Sequence, residues 1–162
     1  MKRTASAAWS GELHYGQGRL STQSASLSQL PFAYASRFGE QPGSNPEELI
    51  AAALVNCFTM AVAALLDKET MTAESLHTRA TVTLDRVDNG FAITALHLDL
   101  VADIPVGDPA AFGRIAEIAR AECPVSRLLT IKPTLTARLA SPDTRRTVSP
   151  PAPGRSDAVA TP

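Results

Sequence analysis

The order of hydrophobic patterns predicts an α+β fold in which helices cover one side of an antiparallel sheet. Three features carry that expectation. A nearly unbroken apolar stretch, Leu49 to Leu66, reads as a long helix. Residues from 75 to 102 alternate polar and apolar types on either side of a turn, as a hairpin does. Residues 130–139 alternate again after a second helical pattern and give a last strand. The chain has 162 residues, enough for one domain with one core. Hydrophobic residues make up 44% and charged residues 19%, a globular balance that excludes a fibrous or wholly disordered chain.

Taken in order, residues 5–10 and 18–25 read as short strands around a polar turn between Gly11 and Gly18. Residues 27–44 contain Pro31, Gly39, Pro42 and Gly43 and read as a long loop, a length that is often functional in a compact domain. Asn45 is a good N-cap, Pro46 suits the first helical position, and Glu47 and Glu48 place carboxylates at the positive end of the dipole. A helix is therefore predicted over 46–68. It is apolar on nearly every side and is expected to be buried all round. Its length approaches the roughly 20 residues of a membrane span, but Asn56, Cys57 and Thr59 interrupt it and much of the rest is alanine. A buried core helix is the reading, and no membrane partner is expected. One chain covers only one face of such a helix, so a second copy, a homodimer, is the simplest cover for the rest.

Leu76, Thr78, Ala80, Val82 and Leu84 share one face of a strand over 75–87. Asp88-Asn89-Gly90 carries an Asn-Gly hairpin signature. The returning strand opens with Phe91, Ile93 and Ala95 and then shifts to Leu96, Leu98 and Leu100; that change of parity predicts a β-bulge near Ala95. Asp108-Pro109 opens a second helix over 109–122. From Ser141 onward Pro, Ser, Thr, Asp and Arg dominate, too polar to bury a core. The expected division is a folded domain over 5–140 and a disordered, Pro-rich tail over 141–162.

Several function classes drop out on charge and motif. The net charge of −1 leaves no footprint for nucleic acid. The basic start MKRTASAAWSGELHYG has no apolar segment behind it, so no signal peptide is read and the cytoplasm is the expected location. His14, His77 and His97 lack metal-ligand spacing, and Gly16-Gln17-Gly18 is not a dinucleotide fingerprint, so no metal or cofactor is expected.

Two cysteines remain, 66 positions apart. Cys123 precedes Pro124, which ends the second helix and starts a new turn. Cys123 then lies at a helix N-terminus, where backbone N–H groups favour a thiolate. Cys57 lies mid-helix beside Val55, Phe58 and Met60, where desolvation raises a thiol pKa. It becomes a nucleophile only if a cation is brought to it, and Arg37 is the sequence candidate.

The segments GSNPEELIAAALVNCF (43–58) and AECPVSRLL (121–129) resemble the OsmC/Ohr family of peroxidases, and Ser36-Arg37-Phe38 resembles its OsmC branch. The likeness spans most of residues 7–139. It implies an OsmC-like fold: antiparallel sheets around a long buried helix, in an intertwined homodimer. It also implies a thiol-dependent peroxidase in which Cys57 attacks a hydroperoxide, Cys123 resolves the sulfenic acid as a disulfide, and a dithiol such as a lipoyl group restores both. Arg37 and Glu47 match the family's arginine and glutamate. Leu54-Val55-Asn56 departs from the family's smaller residues and bears on pocket shape. Glu47 and Cys57 lie ten residues apart on one helix, about 15 Å along its axis, so a shared site takes Glu47 from the partner subunit. The alternative is a redox-sensing or binding module on the same fold without turnover.

Overall fold

The computed structural model describes residues 1–141, so the expected disordered tail lies, from residue 142, outside the described residues. Three short strands, β1 (Ala5–Ser10), β2 (Gln17–Thr22) and β3 (Leu30–Phe32), form an antiparallel sheet in that order. β3 and a one-turn helix, α1 (Tyr34–Phe38), occupy the stretch expected to be loop. Both are too short to leave a periodic signature in sequence. Gly18 lets β3 pair with β2, because a Cβ there would strike the Phe32 ring. That ring meets Trp9 with centroids 5.7 Å apart. All six residues of β1 are exposed.

The long helix, α2 (Pro46–Lys68), matches the predicted span. Asn45 caps it, accepting the Glu48 N–H at 2.8 Å. Leu54, Phe58, Val62 and Leu66, spaced by four, form its buried stripe. Full burial of one such side chain stabilises by about 1.5–3 kcal/mol. All-round burial is not reached within one chain: Met60 is 68% exposed, and Ala52, Ala53 and Asn56 are open. The chain supplies packing elements on one side of α2 only.

Those elements are a hairpin and a second helix. β4 (Ser75–Val87) and β5 (Gly90–Asp103) pair antiparallel across a two-residue turn, with Gly90 at φ +127°. Thr83 pairs with Ala95 but Leu84 with Ile93, which leaves Thr94 as the bulged residue, one position from the expected place. Its hydroxyl donates to Asp85. The bulge moves Leu96, Leu98, Leu100 and Ala102 onto the core face. There they meet α2 and α3 (Pro109–Glu122), which Asp108 caps at the Ala111 N–H. Thr59 of α2 donates to Thr78 of β4 at 2.7 Å. By length and composition α2 could cross a membrane; here it is a core helix packed on β4 and α3.

A second one-turn helix, α4 (Pro124–Leu128), follows α3, and β6 (Thr134–Leu139) then joins β5. This corrects the expectation of wholly antiparallel sheet, because β6 runs parallel to β5. A parallel neighbour needs a crossover of a dozen or more residues, and α3 with α4 provides it. The strand also starts later than position 130.

Candidate active site

Cys57 lies halfway along α2, partly buried against the core. Cys123 sits in the break between α3 and α4 and is 1% exposed. Pro124 makes that break by denying Cys123 a helical backbone, and Cys123 takes φ −52° and ψ 123°. Both thiols are free. Packing of α4 on α2 brings the two side chains within hydrogen-bonding reach, and the Val125 N–H donates to the Cys57 sulfur. That amide belongs to the first turn of α4, whose N–H groups have no partner within the helix. The sequence expectation gave this end of the helix to Cys123. Instead its Val125 N–H serves Cys57, and Cys123 makes no capping bond with its side chain.

Burial pushes the Cys57 thiol pKa up, and the hydrogen bond and charge of Cys123 push it further. The Val125 N–H works the other way, but the net shift is upward. Lys132 fixes α4 from its far end: its Nζ donates to the carbonyls of Ser126, Arg127 and Leu129 at 3.2, 3.2 and 2.6 Å.

Arg37 and Glu47 form a second cluster. The Ser36 hydroxyl accepts the Ala33 N–H at 2.9 Å and reaches the Ser44 carbonyl at 3.0 Å, which pins α1 to the approach of α2. Arg37 Nη2 then donates to Glu47 Oε1 at 2.7 Å, and Nε to Oε2 at 3.4 Å. Burial pushes the Glu47 pKa up, but the hydrogen bond and charge of Arg37 and a backbone hydrogen bond outweigh it and hold the carboxyl below its ordinary value. The Arg37 guanidinium carbon lies 5.1 Å from the centre of the Phe38 ring. An open apolar cavity of about 530 Å³ adjoins the pair, lined by Trp9, Leu20, Phe32, Phe38 and Leu49.

Each predicted site residue is thus placed, but in two groups. Cys57 meets Cys123, and Arg37 meets Glu47. The groups lie about 15 Å apart along α2. The sequence alone does not single out Ser36, Val125 or Lys132 for these roles. Val125 was nonetheless readable, as the residue after a proline that opens a helix. Of the histidines, His97 hydrogen-bonds Thr134 at 2.8 Å and His14 packs edge-on against Tyr34. Among the described residues no three His, Cys, Asp or Glu side chains gather as a metal site.

Residues 39–138 match the family described as OsmC-like protein. The chain is 42% identical over 133 residues to "Peroxiredoxin OsmC" of Escherichia coli (strain K12), covering 82% of this chain and 93% of that one. Among solved structures it resembles an OsmC-like protein from Vibrio cholerae (TM-score 0.70, 14% identity, 85% of this chain and 99% of that). It also resembles the organic hydroperoxide resistance protein OhrB of Bacillus subtilis (TM-score 0.60, 21% identity, 85% and 98%). At these identities the two structures speak for the fold.

Proposed function

Because the chain belongs to the OsmC family, we propose that it is a thiol-dependent peroxidase that reduces organic hydroperoxides with Cys57 as the attacking thiol. The contact between Cys57 and Cys123 carries this reading. The Cys57 thiolate attacks one peroxide oxygen. An S–O bond forms, the O–O bond breaks, and the alkoxide leaves as alcohol after taking a proton. Cys123 then attacks the sulfenic sulfur, giving a Cys57–Cys123 disulfide and water. A dithiol, of which a lipoyl group is one, reduces the disulfide by exchange. We place this chemistry in the cytoplasm, where thiols are kept reduced.

Arg37 and Glu47 reach Cys57 from the partner subunit in a two-fold dimer. The exposed stripe Ala52, Ala53, Asn56 and Met60 on α2 is the face that awaits a second helix. Residues 47 and 57 are equidistant from 52. An antiparallel pair of α2 helices crossing near Ala52 therefore sets Glu47 of the partner subunit beside Cys57. The alanines there permit a close approach of the helices.

Subunit mixing tests this. Cys57→Ser dimers lack the sulfur, and Arg37→Ala dimers lack the cation. After exchange, the mixed dimer holds one complete site if the two act across the interface, and about a quarter of wild-type activity returns. No recovery, with subunit exchange verified by native mass spectrometry, overturns the shared site. A monomer mass by light scattering at micromolar concentration does the same.

A further inference from the structure

Arg37 sits in a helix of one turn, and helices this short do not hold themselves. The Glu47 fork is uneven, one bond at 2.7 Å and the other at 3.4 Å, so it anchors one arm of the guanidinium more firmly than the other. The Phe38 ring beneath it supplies a second contact. That ring is itself held by two others. Tyr34 packs on it at 4.9 Å and 44°, and Phe91 at 5.0 Å and 38°. Phe91 comes from a distant part of the chain, the residue after Gly90 at the tip of the β4–β5 hairpin. It is 53% exposed and stands outside the core, so packing of the core does not explain its place. At the other end of the row His14 meets Tyr34 at 4.4 Å. Four rings therefore bind α1 to the β1–β2 turn on one side and to the hairpin tip on the other.

We propose that Phe91 is a positioning residue for Arg37, acting through Phe38. The proposal rests on Arg37 being the cation that serves Cys57. Phe91 keeps the Phe38 ring from turning. The ring in turn sets the plane of the guanidinium, so that its free N–H groups point away from Glu47 at a fixed angle. The hairpin tip thereby governs a side chain on another element. Without the Phe91 ring, Phe38 has only Tyr34 to pack on, and the guanidinium swings about its shorter bond to Glu47. A cation positioned for developing charge loses transition-state stabilisation when its aim broadens. The signature is a lower kcat with KM little changed.

The experiment uses the full chain with Phe91→Leu and Phe91→Tyr, each alone and combined with Arg37→Ala. Leucine keeps apolar bulk without a ring, and tyrosine keeps the ring. Phe91→Leu should lower kcat about three- to tenfold, the range for a lost aromatic pair. KM should stay within about twofold. Phe91→Tyr should stay near wild type. In a Cys123→Ser background, Phe91→Leu should also move the pH profile of Cys57 alkylation upward. In the Arg37→Ala background Phe91→Leu should add no further loss. A loss that persists there, or one that merely tracks a lowered melting temperature, overturns the positioning role. So does a normal kcat for Phe91→Leu when Arg37→Ala is impaired. If Arg37→Ala alone changes neither rate nor thiol profile, the reading of Arg37 as the catalytic cation fails instead and removes the premise. The ring-current shift of the Arg37 Nε–H resonance follows the guanidinium without reference to activity. It should collapse in Phe91→Leu and survive in Phe91→Tyr, and an unshifted resonance in both overturns the proposal.

Discussion

Two clusters share α2 and are built in opposite ways. At its middle, Cys57 and Cys123 sit among apolar side chains, and burial drives the Cys57 pKa up. At its start, Arg37 and Glu47 are held by charge and by stacked rings at the edge of an open cavity, and the carboxyl pKa is driven down. The first cluster has a nucleophile and no cation; the second has a cation and no nucleophile. Burial shields a sulfenic acid but disfavours the thiolate that must form it. A cation buried beside the thiol in the same chain would need its own counter-charge, and an unpaired buried charge costs several kcal/mol. A guanidinium that arrives already paired with Glu47 avoids that penalty.

The sharpest way to break this contrast is to remove each sulfur in turn. Cys57→Ser should abolish turnover, since it removes the sulfur that attacks the peroxide in the proposed mechanism. Cys123→Ser should still consume about one equivalent of peroxide per site and then stall, because only recycling is lost. Peptide mapping of the wild type after one equivalent should find residues 57 and 123 linked. The reverse pattern between the two variants would give the attack to Cys123 and return to it the role that its place before Pro124 first suggested.

The next effect falls on the cation. Arg37→Ala should slow peroxide reduction by about 10²–10³, the usual loss for one preorganised donor. Arg37→Lys should not rescue it, because an ammonium lacks the planar fork. In a Cys123→Ser background, the apparent pKa of Cys57 alkylation should rise in Arg37→Ala. Unchanged alkylation and unchanged rate would leave the two clusters unconnected.

The legible parts of the fold were those whose signal lies within one segment. Asn45-Pro46-Glu47-Glu48 set the start of α2, Asp108-Pro109 set that of α3, and the parity change between Ala95 and Leu96 located the bulge to within one residue. β3 and α1 escaped because three and five residues carry no period. The parallel entry of β6 escaped because alternation says which side chains share a face but not which way a strand runs. In the site, residue types pointed to both cysteines and to Arg37, while Glu47 read as a first-turn carboxylate and entered the site only through the family resemblance. The Val125 N–H contact and the ring row depend on how distant segments meet, which no local pattern encodes.

A smaller effect concerns pH at the Arg37 cluster. Glu47 has a lower pKa folded than unfolded, so the pair's stabilisation is present above the unfolded carboxyl value and is lost as pH falls through the folded value. Arg37 is partly exposed, and such pairs contribute about 1 kcal/mol or less. Under the proposed role of Arg37, the share of the rate that it supplies should therefore fall on the acid side before the melting temperature does. Glu47→Gln should flatten that acid limb and lower the plateau less than Arg37→Ala does. An acid limb that survives Glu47→Gln unchanged would assign the titration to another group.

The smallest effect expected is none, and it falls on the segment after Ser141. β6 ends at Leu139, which pairs with Ala102, and the Ala140 N–H donates to the Ala102 carbonyl at 2.8 Å. The sheet bonding to β5 is thus complete before the Pro-rich segment begins. Leu135, Ala137 and Leu139 have already packed against the core. Residues 142–162 include five prolines and no aromatic residue, a composition with little to bury against either cluster. A chain truncated after Ser141 should keep its melting temperature and its peroxidase rate. A melting temperature lower by about 4 °C or more would correspond to roughly 1 kcal/mol for a domain of this size or smaller. That loss would mean the segment docks on the folded part. A fall in rate without a fall in melting temperature would place it at one of the two clusters.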